Sequence, residues 1–421
     1  MALRDIFKKL RPQKPRDLTL AKLLNDYPSF QQFGDNIYNS DLVQDCIDTI
    51  ATQCKKVMPQ HIQQDPGGIQ KIPKSSINRV FNSYANPIMT TSDFIEKVTW
   101  LLYLNYNAFI WPLFEIYKDG NGNRRKRYKG FYPLNPNQVV FEEDKAKRIY
   151  AHFYFDNGYD ITLPYDEVIH LRKKFSVNDI MGGGLNGQPD NDALISILET
   201  NNSVIQGLGK AIETSLAIKG ILKINTMLDD DSQKAERARF EGLLETGGSG
   251  ILPIDLKGDF EPINIDPRVV DKDTMQYIDE KVLRWYGVSL PIISGDFTGD
   301  QYAAFYEKTL EPLLITMGQA FTKALFSQRE IDLGNKIVFY KKDMGYLNPK
   351  DKLELIKISG EQGLLKLDQK LAILGYPPIG GEEGAVRTIS LNNIDVKLAN
   401  EYQMAKAKAG ATNTGGANNG E

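Results

Sequence analysis

The chain is 421 residues long with a net charge of −3 and an isoelectric point near 5.9. That length exceeds one comfortable hydrophobic core, so roughly two to four subdomains are expected. A hydrophobic fraction of 41% and a charged fraction of 25% exclude the disordered and fibrous classes. The acidic balance excludes a free-standing, tight, non-specific DNA binder, whose affinity rests on surplus Lys and Arg. It leaves room for a surface over which DNA moves without adhering.

The opening MALRDIFKKLRPQKPR is basic and lacks an apolar core, so it reads as a mobile arm and not as a signal peptide. Ser40 caps a helix expected to run through Met58, with Val43, Ile47, Ile50, Cys54 and Val57 on its buried side. Cys46 and Cys54 read as buried, reduced thiols. A second helix, Thr91 to Leu104, starts at a Thr-Ser-Asp capping cluster. The most apolar window, Trp100 to Phe114, is broken by Asn105, Asn107 and Pro112 and falls short of the roughly 20 residues of a membrane span, so the chain reads as soluble.

From Phe109 to Arg172 the pattern is strand-like. Phe114 to Tyr117 turns through Asp119-Gly120-Asn121-Gly122 into a basic segment, which is a hairpin signal. Short strands follow within Phe131–Phe141, Arg148–Phe155 and Glu167–Leu171, and Gly182 to Pro189 breaks the chain. A helix from about Asp190 to Leu216 would span roughly 40 Å. Residues 220–267 read as a small α/β insert: a strand at Ile221–Ile224, a helix capped by Asp231 or Ser232, and a strand from Gly250. One strand, Lys336 to Tyr340, follows Phe326; Asn348–Asp351 opens a short helical pair ending at Gly375; and the pattern fades from Gly384 into a low-complexity tail.

Between Lys281 and Met317 the sequence reads as a helix end, a Gly/Pro/Ser/Asp loop and a longer helix. Met275, Ile278, Val282 and Tyr286 share one face of the first helix, and Gly287 and Pro291 stop it. Tyr302, Phe305, Leu310, Leu313, Met317, Phe321 and Ala324 mark the face of the second, and Pro312 should kink it. A polar loop held between two helices is more than packing needs, so something is expected to touch it.

Enzyme signatures are weak. Gly182, Gly184 and Gly187 match G-x-G-x-x-G, but the strand before them is charged and Pro189 delays the helix, so a flexible joint is the better reading. No G-K-[ST] occurs, which excludes a P-loop motor. His61, His152 and His170 lack metal spacing, and His170 alternates with Val168 and Arg172 as a structural strand residue would. Asp229-Asp230-Asp231 fits helix capping, and Asp296 with Asp300 fits an exposed turn better than a metal site. Ser289 and Ser294 have no local histidine to activate them. The basic run Arg124–Arg127 reads as a solvated hairpin tip. No catalytic residue, metal or cofactor emerges.

In their order, these segments resemble the portal proteins of tailed double-stranded-DNA bacteriophages and their prophage-encoded relatives. The pieces are SDLVQDCIDTIATQCKKVMP; ANPIMTTSDFIEKVTWLLYLNYNAF, with Tyr106 where the family has Gly; YPLNPNQVVF; DEVIHLR; YGVSLPIISGD, with one extra residue before Pro291; TLEPLL, with Pro312; and GLLKLDQKLAILGYPPIGG. They cover roughly Ser40 to Ile379. The resemblance implies an α+β subunit with a mixed α/β wing, two-helix stem, small α/β clip, kinked tunnel helix and short helical crown. Residues 1–35 would be an N-terminal arm, 36–188 with 301–346 the wing, 189–218 and 267–287 the stem, and 219–266 the clip. Residues 288–300 would be the tunnel loop, 347–380 the crown and 381–421 the tail.

The resemblance further implies a homo-oligomeric ring, normally of about twelve subunits, at one capsid vertex of the virion, assembled in the host cytoplasm. Double-stranded DNA would pass along its axis during packaging and ejection. The terminase large subunit, which supplies the ATPase work, and a head-tail adaptor would dock on it, beside major capsid or scaffold protein, with no membrane partner. Ser294, Asp296, Phe297, Thr298, Asp300 and Gln301 would line the channel, Pro312 would kink the tunnel helix, and Glu241 and Glu245 would belong to the docking surface. Two rival readings are a metal-dependent DNA-acting enzyme using Asp296 and Asp300, and a virion adaptor without a channel.

Overall fold

The computed structural model describes residues 40–217, 272–341, 349–374 and 379–389 with isolated gaps, short strands at 19–20, 29–31, 221–224 and 258–261, and a few single positions. By contact the chain divides into Met1–Asp190 with Tyr286–Glu421, and Asn191–Trp285.

The first unit opens with β1 (Thr19–Leu20) and β2 (Ser29–Gln31), then α1 (Asp41–Cys54), β3 (Val57–Gln64), β4 (Gln70–Lys71), α2 (Ser76–Ser83) and α3 (Thr91–Asn105). Strands β5 (Asn107–Lys118), β6 (Arg124–Leu134), β7 (Gln138–Glu143), β8 (Ile149–Tyr154), β9 (Asp160–Pro164) and β10 (Ile169–Arg172) follow. Ser40 caps α1 as expected, and Thr90 with Asp93 forms a reciprocal capping box on α3. The hairpin β5–β6 forms where the Asp119–Gly122 turn predicted it, with the Asp119 carboxylate accepting from the Asn123 amide at 2.8 Å.

Helix α1 stops at Cys54, not at Met58. Val57–Gln64 is a strand paired antiparallel with a strand near residue 338. Burial pushes the Cys46 and Cys54 thiols up to about 12, so both stay protonated at neutral pH. The expected N-terminal arm supplies β1 and β2, both paired with β7; the basic opening segment lies outside the described residues.

The second unit holds α4 (Asp192–Ala217), about 39 Å long, β11 (Ile221–Ile224) paired with β12 (Gly258–Glu261), and most of α5 (Lys272–Tyr286). The strand expected from Gly250 lies outside the described residues, as do Glu241 and Glu245.

Beyond α5 come α6 (Leu290–Ser294), α7 (Gly299–Phe305), a π-helical turn (Tyr306–Leu310), α8 (Glu311–Leu325), α9 (Gln328–Asp332) and β13 (Asn335–Lys341), the partner of β3. Last are α10 (Pro349–Glu361), β14 (Gln362–Lys366), α11 (Leu367–Leu374), α12 (Gly381–Gly384) and β15 (Arg387–Ile389). β15 pairs with β14, so the pattern expected to end at Gly384 continues for one more strand.

Two cores hold the first unit. In one, Phe81 stacks on Phe131 at 4.6 Å, with Phe94 and Phe321 at 6.0–6.4 Å from their neighbours. Each fully buried ring of this kind stabilises by about 2–3 kcal/mol. The other, under β7–β9, gathers Phe109, Trp111, Phe141, Phe153 and Leu163.

Candidate functional site

The loop that the sequence singles out is partly built of helix. Gly287 follows α5 with φ +73°, a left-handed conformation that favours glycine. Its carbonyl accepts from the Thr309 hydroxyl at 2.7 Å. A Cβ on Gly287 would lie 2.6 Å from that hydroxyl oxygen, so hydroxyl and glycine fit each other. Val288 and Ile292 are buried, and Pro291 occupies the first turn of α6, where its missing N–H costs nothing. Residues 288–294 are thus an anchored step; the polar, solvent-facing part is Ser294 to Gln301.

Within that part Gly295 turns the chain through φ +80°. Ser294 bonds back to the Pro291 carbonyl at 3.3 Å. Thr298 and Gln301 form a capping box that starts α7, with Thr298 N–H donating to Gln301 Oε1 at 2.9 Å. Both side chains therefore serve the helix end, and the groups left pointing outward are Asp296, Phe297 and Asp300. Phe297 is 41% exposed, its ring 5.4 Å from Tyr302. The Tyr302 hydroxyl reaches Gln53 of α1 at 3.1 Å, and burial pushes it up to about 12. Among the described residues no three His, Cys, Asp or Glu side chains gather as a metal site.

Pro312 acts differently from the expected simple kink. Immediately before it the chain widens into the π turn, and the Glu311 N–H bonds to the Tyr306 carbonyl, five residues back. The wide turn absorbs the proline ring and the missing donor. After Phe305 the buried positions are Leu310, Leu314, Met317, Phe321 and Leu325: Leu310, Met317 and Phe321 lie where the spacing put them, while Leu314 and Leu325 replace two neighbours. The expected Leu313 and Ala324 are only half-buried.

A tyrosine cage stands at the head of the loop. Lys173 places its ammonium nitrogen 3.6 Å above the Tyr103 ring and 5.1–5.2 Å from the Tyr286 and Tyr106 rings. That nitrogen is buried and makes no hydrogen bond. Burial, with Lys174 beside it, holds the Lys173 amine well below its usual value. Tyr106 ends α3 at φ +56°, the left-handed conformation usually left to glycine. The departure from the family pattern at Tyr106 was the one sequence signal for the cage.

The glycine-rich segment is a packed joint and not a flexible one. Asn107 reads it: Oδ1 accepts from Gly182 N–H at 2.7 Å, and Nδ2 donates to the Gly182 and Gly187 carbonyls at 3.1 and 3.3 Å. His170 completes the set, Nε2 lying 3.0 Å from Asn107 Oδ1 and Nδ1 2.9 Å from the Tyr165 hydroxyl. Because Oδ1 can only accept, the ring carries its proton on Nε2 and accepts from the Tyr165 hydroxyl on Nδ1. The structural role expected of His170 agrees with this. The amides of Gly182, Gly183, Gly184 and Gly187 all donate to protein oxygens, so none of these four is left to hold a phosphate.

The fold defined by these elements has solved counterparts. A chain in the neck of an empty gene transfer agent particle, computed with C6 symmetry, matches with TM-score 0.57 at 15% identity, covering 81% of this chain and 91% of that one. The neck of the native particle, computed with C12 symmetry, matches with TM-score 0.55 at 13% identity and the same coverage. At such identities the likeness is one of fold, and that fold is the expected portal-type α+β subunit. The probable portal proteins of Lactococcus phages p2 and SK1 are each 26% identical over 229 residues, 51% of this chain and 60% of theirs. The model of the phage portal protein family matches residues 42–375, and the chain belongs to that family.

Proposed function

We propose that this chain forms a ring at one capsid vertex that conducts and gates DNA, without catalysis of its own. The match over residues 42–375 carries this reading, because it spans the anchored loop and the elements on either side of it. The fold likeness to neck proteins of particles computed with C6 and C12 symmetry supports a ring. At −3 per subunit, a ring of about twelve carries roughly −36, so its wall repels phosphates and lets DNA slide. The test is native mass measurement of the purified 47.5 kDa chain. Annular particles near about half a megadalton are expected; a strict monomer that cleaves plasmid DNA with added metal would instead favour the DNA-acting enzyme.

In this ring residues 36–188 with 301–346 form the wing, 189–218 and 267–287 the stem, 219–266 the clip, 288–300 the tunnel loop and 347–380 the crown. Asp296, Phe297 and Asp300 face the DNA, while Ser294, Thr298 and Gln301 shape the loop that carries them. Joint Asp296→Ala and Phe297→Ala replacement should impair DNA packaging or retention while rings still assemble; unchanged packaging and retention remove the loop from the mechanism. Residues Glu241 and Glu245 contribute to the surface where terminase and the head-tail adaptor dock. Reversing both charges should weaken a terminase pull-down, and an undiminished pull-down excludes that surface.

A further inference from the structure

We propose that a basic groove in the first unit binds an extended protein segment in which acidic residues alternate with bulky apolar ones. The groove has a volume of about 1300 Å³, larger than the ~300–1,000 Å³ of a small-molecule site. Its walls are the chain entering α2, the tip of the β5–β6 hairpin, the end of α8 and helix α9. The lining holds eight Lys and Arg side chains against three carboxylates, in a chain whose net charge is −3.

Internal pairing does not explain that surplus. Arg125 bonds Asp119 and Glu330, Lys126 bonds Glu167, and Arg127 bonds Glu115. The other five, Lys74, Arg79, Arg124, Lys323 and Arg329, line the same groove, are exposed, and make no ion pair with any described carboxylate. They come from four separate segments of the fold. Unpaired like charges facing one another across a concavity repel, and an anionic occupant relieves that repulsion. A run of basic residues on one turn would be read as a solvated face; convergence from four segments is a shaped field.

The apolar part of the wall decides what kind of anion. Ile72 is 63% exposed and Leu333 59%, both in the lining, which also includes Tyr117. Phosphates gain nothing from these side chains, whereas alternate apolar residues of a peptide do. The wall also continues from β4, the edge strand of the sheet β13–β3–β4. An extended segment laid beside it can add backbone hydrogen bonds, turning acidic side chains toward Lys74 and Arg124 and apolar ones toward Ile72. A DNA duplex presents a convex row of phosphates and no such alternation. The inference does not depend on the ring reading.

The test is fluorescence anisotropy with the full chain and a labelled peptide of about twelve residues alternating Glu and Val. The acidic peptide should bind and weaken as salt is raised, while its Gln-for-Glu version should bind at least about 10-fold more weakly. Lys74→Glu with Arg124→Glu and Arg329→Glu should weaken the acidic peptide by at least about 10-fold. Lys97→Glu on α3, outside the lining, should leave it unchanged. A photo-crosslinking version of the peptide should label the unaltered chain within the groove, a readout that does not depend on the triple variant folding. Absence of acidic-peptide binding, crosslinks elsewhere, or insensitivity to the triple reversal would overturn the proposal. Tighter binding of an oligo-dT strand or a DNA duplex than of the peptide would assign the groove to nucleic acid instead.

Discussion

Gly182→Ala lowers the stability of the first unit by about 3 kcal/mol or more. A Cβ at that position would lie 2.5 Å from the Lys173 carbonyl oxygen, 2.5 Å from the Tyr106 carbonyl oxygen and 2.9 Å from the Lys173 nitrogen. All three atoms are backbone, so no side chain can swing aside, and Lys173 N–H already donates to the Tyr106 carbonyl at 2.8 Å. Relief requires the 182–187 segment to withdraw, which takes the Gly182 amide from Asn107 Oδ1 and the Gly182 and Gly187 carbonyls from Nδ2. Asn107 is buried, so the groups it loses stay desolvated. Gly207→Ala is the matched control: it lies in α4, has nothing within 4 Å of an added Cβ, and should gain up to about 1 kcal/mol from helix propensity. Thermal unfolding of the two variants beside the parent checks the pair. Equal melting temperatures for Gly182→Ala and the parent would mean that the joint yields, as a flexible break would.

The contrast between a flexible break and a packed joint marks where the sequence stops being legible. Local chemistry was readable: the Ser40 and Thr90 caps, the Asp119–Gly122 turn and the strand at Ile221–Ile224 all depend on residues a few positions apart. So was the family, whose motifs recur in order along the chain. Non-local contacts were not readable. Val57–Gln64 pairs with Asn335–Lys341, and nothing near Val57 announces a partner so distant, so its first two residues, Val57 and Met58, read as the end of α1. The amide of Asn107 meets Gly182 across 75 positions. Pro312 signalled a disturbance, but residues near it in sequence did not show that the chain would widen into a π turn or bury Leu314 in place of Leu313. At the loop, composition pointed to exposed carboxylates and Phe297. It gave no sign that Thr309 and Gly287 fix the loop's entry.

Lys173→Met stabilises the first unit at neutral pH, by about 1–3 kcal/mol, the cost of a buried polar group left without a partner. The cage of Tyr103, Tyr106 and Tyr286 gives this prediction two opposing forces. The rings attract an ammonium, by about 2 kcal/mol when desolvated. Against them stands the cost of burying a cation with no hydrogen-bond acceptor and with Lys174 adjacent, on the order of several kcal/mol for a desolvated ion and so larger than the ring attraction. The folded value therefore lies below the ordinary one near 10.4. Between the two values the unfolded chain binds the proton and the folded chain does not, so stability rises with pH across that window. Above about pH 8.5 buried thiols and tyrosines oppose the trend: burial raises Cys46, Cys54, Tyr103 and Tyr286, so their ionisation favours the unfolded chain. Parent and variant share those groups, so the difference between them is informative from neutral pH to about 9.5. There the parent's melting temperature should climb relative to that of Lys173→Met, and the gap between them should close from the variant's side of advantage. A variant that melts lower than the parent at neutral pH, with parallel pH profiles, would mean that Lys173 is charged and that the three rings hold it as a cation. In that case the head of the loop is fixed by cation–π attraction, and Tyr286→Leu should cost more than the loss of ring packing alone.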